Sequence, residues 1–431
     1  MTQWARCLPE FGWQPFVLTR YYGHRATPEL LAKYVHPDVR VEYLNAPPED
    51  ESAPAPAPAP APAAGRASLA SRVKRFIGSS PASALLVPDP GIGFWRSVRP
   101  RVLQAAREFE ADLLVTTGPP HSNHDVGLWL AREIGIPWVA DFRDPYIIDQ
   151  RFAPRFPFRW MMPAHRRYSR NLYSTASLVT HAIPIAARFW RIRSADYRRH
   201  VRIMTNACAP ELATGDVEPD VTPGGRRSIR AVGHIGHDEA AFLATAIAEL
   251  VREGMDLELR LIGPPVTTLP RIRELLGERV ISSPGMRHDL ALRQVAGADV
   301  LVNYLSRERS QHYLLSSKLF EYLATGKPVI EVNPTVPDRQ ILRRLPDVVV
   351  LREPTLPELK ESLRRALRMG VAGMGGARAA FVREHEWRRQ VRTLAAWFDE
   401  AVERRARPSE AGDRAGGALG GRPAMAGGRG A

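Results

Sequence analysis

The sequence predicts an α/β fold, with parallel sheets covered by helices on both faces and divided between two domains. Three observations carry this. Short runs of branched and aliphatic residues alternate with helical patterns along nearly the whole chain, the signature of parallel strands joined by helical crossovers. The length, 431 residues, exceeds what one core ordinarily serves. Hydrophobic residues make up 44% of the chain, enough for two substantial cores.

In the first half the predicted strands are Phe16–Thr19, Val39–Leu44, Asp112–Thr117, Trp138–Asp141, Leu178–Ala182 and Arg202–Asn206. Each is a short apolar run bounded by turn residues. A helix begins near Ser122 and continues through Gly127–Ile134, with Ser122 in the N-cap position. The second half repeats the pattern with strands Ile229–Gly233, Leu257–Ile262, Val280–Ser282, Val300–Tyr304, Val329–Val332 and Val348–Leu351. Helices Glu239–Glu253 and Leu356–Met369 lie between them. Residues 210–227, rich in Pro, Gly and acids, read as the linker between an N-terminal domain (1–209) and a C-terminal domain (228–377). A last helix over about 378–404 carries Phe381, Trp387, Val391, Leu394, Trp397 and Phe398, so it packs on something. Residues 405–431, rich in Gly, Ala and Arg, have too little apolar content to fold and read as a disordered tail.

Residues 51–65 alternate Ala and Pro and predict an extended spacer without a core role. The following Arg66–Ser79 places Leu69, Val73, Phe76 and Ile77 on one helical face beside Arg66, Arg72, Lys74 and Arg75. Such a helix fits an anionic membrane surface. It fits equally a surface helix packed on its own domain.

Net charge of +14 calls for acidic partners. No zinc-finger spacing and no RNA-binding aromatic-basic strand is present, so no nucleic acid partner is predicted. Cys7 and Cys208 make neither a disulfide framework nor a metal-ligand spacing, which suits a reducing compartment. No apolar run is long enough to span a bilayer, and Pro9 and Glu10 interrupt any leader pattern. The expected location is cytoplasmic, with the inner face of the cell membrane as a peripheral docking surface.

The most informative words run from Ser316 to Ile330: Ser316-Ser317-Lys318-Leu319-Phe320-Glu321-Tyr322-Leu323-Ala324-Thr325-Gly326-Lys327-Pro328-Val329-Ile330. Lys318 and Glu321, three apart, share one face near a helix N-terminus, where backbone N–H groups already favour an anion. A lysine there suits a diphosphate, and a carboxylate one turn deeper accepts bonds from sugar hydroxyls. An amphipathic helix with a surface ion pair is the plain alternative. The chain holds only five lysines among its 60 basic residues, and two lie in this segment.

These fifteen positions resemble the nucleotide-sugar site of family 4 glycosyltransferases, in which Lys-x-x-Glu precedes Gly-x-Pro-Val/Ile. The resemblance extends from about Leu8 to Val402 and includes the bacterial branch that builds surface polysaccharides. Two words of the first domain resemble that branch: Thr116-Thr117-Gly118-Pro119-Pro120-His121-Ser122-Asn123-His124 and Trp138-Val139-Ala140-Asp141-Phe142-Arg143-Asp144-Pro145-Tyr146. Pro88-Asp89-Pro90 with Trp95 does so more loosely.

The resemblance implies a GT-B fold, two Rossmann-like domains with parallel sheets facing across a cleft. It implies retaining transfer from a nucleotide-diphosphate sugar, with no metal and no cofactor beyond that donor substrate. It makes His121, Lys318 and Glu321 the candidate catalytic residues. For the donor it implies Gly233, Gly236, His237, Gly263, Met286, Arg287, Ser316 and Ser317, together with Lys318 and Glu321. His124, Asp141, Arg143 and Asp144 are the candidate acceptor-binding residues, a glycan or lipid-linked acceptor being expected. Two exposed histidines capping a helix remain the plain reading of His121 and His124. Arg143 reads equally as a structural clamp between Asp141 and Asp144.

The chain departs from the family pattern in four places. Leu8-Pro9-Glu10-Phe11-Gly12-Trp13, which in the family closes the first helix, stands almost at the start, so a preceding strand and Gly-rich turn are expected from an upstream reading frame. Tyr313 replaces the first of two glutamates, and His237 and Asp238 stand where an Arg is usual. Asn206-Ala207-Cys208-Ala209 replaces Asn-Gly-x-Asp. These departures support an alternative, a catalytically degraded subunit of the same fold that binds sugar nucleotides or serves as a scaffold.

Overall fold

A computed structural model describes residues 2–21, 34–46, 86–146, 159–263, 266–307, 314–370 and 375–406. The Ala/Pro spacer, the basic helix Arg66–Ser79, Tyr313 and residues 407–431 lie outside the described residues.

In chain order the elements of the first half are α1 (Thr2–Cys7), β1 (Phe16–Arg20), β2 (Arg40–Leu44), α2 (Ile92–Ser97), α3 (Arg99–Glu108), β3 (Leu114–Gly118), α4 (Asn123–Glu133), β4 (Trp138–Phe142), α5 (Met162–Thr175), β5 (Leu178–His181), α6 (Pro184–Arg191), α7 (Ala195–His200) and β6 (Val201–Ile203). The chain then passes through α8 (Pro210–Thr214) to β7 (Arg227–Val232), α9 (His237–Arg252), β8 (Leu257–Ile262), α10 (Leu269–Leu276), β9 (Val280–Ser283), α11 (His288–Ala296) and β10 (Val300–Tyr304). It ends with α12 (Ser317–Ala324), β11 (Val329–Val332), α13 (Val336–Leu342), β12 (Val349–Leu351), α14 (Leu356–Met369), α15 (Gly376–Glu384) and α16 (Trp387–Ala406).

Every strand pairing among the described residues is parallel. The second half forms one six-stranded sheet in the order β12-β11-β10-β7-β8-β9. Its two faces are covered by different side chains because successive residues of a strand point opposite ways. Ile229, Leu259 and Val302 enter one core with α9 and α14, while Val232, Ile262 and Leu301 enter the other with α11 and α12. The first half holds a four-stranded sheet, β3-β4-β5-β6, and a separate pair, β1-β2. No described strand joins β1 to β3.

Two expectations are corrected. The last helix is broken: α15 ends at Glu384 and α16 starts at Trp387. At the break Cys208 N donates to His385 O at 2.8 Å, and Trp387 N donates to Cys208 O at 3.2 Å. Those backbone groups serve a neighbouring strand segment, so an unbroken helix cannot use them. The strand expected at Arg202–Asn206 stops at Ile203, because the carbonyls of Met204 and Thr205 accept from the Arg143 guanidinium instead.

The chain crosses between the halves twice. The outward pass, around Cys208, lies beside the return pass at His385–Trp387. On its return, α16 buries Val391, Leu394 and Phe398 against Trp4, Leu8, Val139 and Leu178 of the first half. A further apolar contact joins Ile183, Ala186 and Leu212 to Val232, Leu319 and Phe320.

Candidate functional site

The predicted site residues lie where parallel strands end, at the C-terminal edges of β3, β4, β7, β8, β9 and β10, the edge at which such sheets bind ligands. In the second half, Gly233 ends β7 with φ +93°, a left-handed conformation that costs glycine little. A Cβ there would lie 2.9 Å from Lys318 Cδ, and a Cβ on Gly263 would lie 2.3 Å from Gly233 O. The two glycines therefore let the ends of β7 and β8 close against the lysine stem. Lys318 Nζ donates to His234 O at 3.0 Å, which holds the ammonium over the turn that leads through Gly236 into α9. The N-terminus of α12 and the turn entering α9 thus meet at one lysine.

Ser316 occupies the N-cap position of α12, its backbone N donating to Asp338 Oδ1 at 3.0 Å. Ser317, the first residue of the helix, is exposed. His237 is exposed, and its ring accepts from Thr267 N at 3.0 Å, tying the β8–α10 loop to α9. Glu321 accepts a 2.7 Å hydrogen bond from His288 Nε2, and this bond raises the His288 pKa above its ordinary value. Met286 is half-buried against the core and anchors the loop after β9. Arg287 pairs with Asp289 at 3.0 Å. Tyr34 of the first half reaches the same place, accepting from Asp289 N at 2.8 Å through its hydroxyl.

Beneath Ser316 lies a buried acid that sequence reasoning missed. Glu331, fully buried in β11, accepts from Asn303 Nδ2 of β10 at 2.8 Å. Burial pushes its pKa well above the usual range, and nearby Asp338 is also raised by burial. A carboxyl residue inside the otherwise apolar run Val329–Val332 was the available signal.

In the first half, His121 and His124 occupy the turn from β3 into α4. The side chain of Ser122 is no cap, contrary to expectation: it makes no capping bond. Asp89 caps instead, accepting from Ser122 N and from Gly91 N, each at 2.9 Å. His121 lies against Tyr146 and Phe142, with ring centroids 4.8 and 5.7 Å away. Desolvation drops its pKa to about 4. His124 is 0% exposed and bonds to Thr116 Oγ1 at 2.8 Å, so it lies beneath His121 rather than on a ligand-facing surface.

Asp141 is likewise 0% exposed. It accepts from Thr117 and Thr180 at 2.9 and 2.6 Å and from Arg143 Nε and Nη2 at 3.0 Å each. The Arg143 guanidinium continues to Met204 O at 2.7 Å and to Asn206 Oδ1 at 3.4 Å. Asn206 in turn donates to Leu315 O at 3.1 Å, next to Ser316. Arg143 is thus a clamp, but its reach runs from Asp141 through Asn206 to the loop that starts α12. Asp144 is half-buried at the end of β4. Among the described residues no group of three or more His, Cys, Asp or Glu side chains is arranged to hold a metal ion.

No protein-family model matches the chain, and no curated protein matches it by sequence. Solved structures do match. A glycosyltransferase from Rickettsia africae superposes with a TM-score of 0.57 at 10% identity, over 93% of each chain. Sucrose-phosphate synthase from Thermosynechococcus elongatus gives 0.58 at 15% identity, over 93% of this chain and 92% of that one. Anabaena HepE, in complex with UDP and glucose, gives 0.53 at 15% identity over 90% and 91%. At such identities the likeness is one of fold. Parallel sheets and these neighbours give the chain the GT-B fold of glycosyltransferases.

Proposed function

We propose that this protein transfers a sugar from a nucleotide-diphosphate sugar to a glycan or lipid-linked acceptor, with retention of configuration, in surface-polysaccharide assembly. The observation that carries the reading is the meeting of Lys318 with the α12 N-terminus and the Gly233–Gly236 turn. That arrangement suits a diphosphate, whose charge a lysine and oriented N–H groups neutralise. HepE, of the same fold, was crystallised with UDP and glucose, which supports a nucleotide-sugar donor.

In this reading the donor lies over α12, with Glu321 accepting bonds from sugar hydroxyls. His121 faces the transferred sugar from the first half. With the leaving diphosphate held by the second half, an acceptor hydroxyl attacks from the face the diphosphate leaves. Asp144 contacts the acceptor, while Asp141, Arg143 and His124 support the loops that do so. Neither metal nor further cofactor takes part.

The site of action proposed is the cytoplasmic face of the membrane. No helix among the described residues is long and apolar enough to cross a bilayer. Between 159 and 203 the chain carries ten arginines and one acidic residue. Arg166, Arg167, Arg170, Arg198 and Arg199 are exposed, which supports attraction to anionic lipid.

The test is calorimetric titration with UDP, GDP, ADP and CMP. One nucleotide binds, Lys318→Ala weakens it at least ~10-fold, and His121→Ala spares binding but slows transfer. Unchanged affinity in Lys318→Ala would sink the site assignment. A second reading, a nucleotide-sugar-binding subunit without turnover, is favoured by the engagement of Glu321 with His288. Binding without transfer to any acceptor would select it.

A further inference from the structure

Asn303 and Glu331 stand directly opposite each other on β10 and β11. Leu301 and Val329, two residues back on each strand, enter the core beneath α12, so both polar side chains face that helix. One hydrogen bond joins them, from Asn303 Nδ2 to Glu331 Oε2 at 2.8 Å. Each side chain then has one oxygen left over, Asn303 Oδ1 and Glu331 Oε1. Both are sealed from solvent, and neither has a partner among the described residues. An amide and a carboxylate would leave these two buried acceptors without a donor, which costs free energy at each. One proton on the carboxyl removes the mismatch, because an acid and an amide side by side can exchange two hydrogen bonds.

The surroundings put that proton on Glu331 rather than on the neighbouring acid. Asp338 accepts from Ser316 N at 3.0 Å and lies 2.8 Å from the Thr335 hydroxyl, two donors that favour its ionised form. Glu331 has a single amide donor. The charged and titratable groups that face it are Asp338 of α13, a like charge, and Lys318 and Tyr322 of α12. Lys318 Nζ is turned to His234 O. The Tyr322 hydroxyl is committed to the backbone of Val232, at 2.8 and 3.0 Å. Burial then favours the neutral form of Glu331.

We propose that Glu331 is a positioning residue that stays protonated in the folded protein and donates its proton to Asn303 Oδ1, so that Asp338 is the one ionised member of the acid pair beneath the diphosphate site. That single charge has a structural use, since Asp338 holds Ser316 N at the N-cap of α12. A second charge would face the Lys318 ammonium from behind and compete with the diphosphate for it. With Glu331 neutral, the attraction of Lys318 for the ligand is not offset from beneath. The two-bond pair also fixes β10 against β11 under the start of α12. The role toward the ligand rests on the reading of Lys318 given above; the proton itself does not.

The proton is tested without ligand, in the full-length protein. An infrared difference spectrum of the unaltered protein against Glu331→Gln at neutral pH should show the C=O stretch of a protonated carboxyl, shifted in D₂O. Between the unfolded pKa near ~4.3 and its higher folded value, Glu331 gives the folded chain one proton more than the unfolded one, so its contribution to stability falls as the pH rises. Glu331→Gln reproduces both hydrogen bonds of the acid and removes that dependence. In urea unfolding, the folding constant of this variant should gain on that of the unaltered protein by about tenfold for each pH unit above about 5, up to the folded pKa. Glu331→Ala, which orphans Asn303, should lose stability at every pH. Absence of the protonated-carboxyl signal, or a Glu331→Gln protein less stable than the unaltered one across that range, overturns the proposal. For the ligand, calorimetry with UDP, GDP and ADP should give Glu331→Gln the affinity of the unaltered protein. Asn303→Asp, which returns a charge to the pair, should weaken it about 10-fold. Equal affinity in Asn303→Asp would overturn the role toward the ligand. Failure of the unaltered protein to bind any of these nucleotides would instead sink the reading of the site and leave the proton standing.

Discussion

At the scale of the residue, chemistry that was legible in the sequence is separated from its support by depth. Lys318 and Glu321 could be read because their spacing and neighbours are local. The partners that hold them could not. Glu321 meets His288, 33 residues away in sequence, and Asp89 caps a helix that begins beyond residue 120. Likewise His124 reads as a ligand-facing group until its ring is found 0% exposed behind His121. The buried histidines carry a pH consequence. Desolvation lowers His121 to about 4 and His181 to about 3, whereas the unfolded chain takes up those protons near ~6.5. The unfolded state therefore binds more protons in this window, and stability falls as the pH drops from about 6.5 toward 4. Thermal melts across that range should show the decline, and His181→Phe should flatten it. An unchanged slope in that variant would remove His181 from the explanation.

At the scale of the element, the strands of the second half were placed to within two residues, because each carries a short run of branched or aliphatic residues bounded by turn residues. The broken C-terminal helix was not legible. Its apolar pattern runs straight through His385 and Glu386, and what interrupts it is a tertiary bridge to Cys208. The two strand-end glycines make a comparative prediction. A side chain at 263 collides with the backbone carbonyl of Gly233, whereas one at 233 meets the flexible stem of Lys318. Gly263→Ala should thus destabilise the protein by about 2 kcal/mol or more, and Gly233→Ala by about 1 kcal/mol from its positive φ. Urea unfolding of the two variants decides the order. The reverse ranking would mean that the β7 and β8 ends pack more loosely than the 2.3 Å approach to Gly233 O implies.

At the scale of the whole molecule, shared cores tie the halves to one fate. The α16 helix completes the first half's core although it follows the second half in sequence. Calorimetry should accordingly show one principal unfolding transition. The nucleotide that binds should raise its Tm in proportion to the logarithm of ligand concentration, by about 2.7 kcal/mol of stabilisation at 100 times Kd. Two separated transitions, with only one responding to nucleotide, would show that the shared core is weaker than its burial suggests.

The paired crossings at Cys208 and at His385–Trp387 constrain motion as well as stability. A single covalent tether is a universal joint, about which one body can bend and twist relative to another. Two tethers hydrogen-bonded side by side act as the two pins of a door hinge. Twisting would shear the bonds between Cys208 and its neighbours, while bending about their common line would leave them intact. Any relative motion of the halves is thereby confined to bending about that line, since twisting would break the 2.8 and 3.2 Å backbone bonds at Cys208.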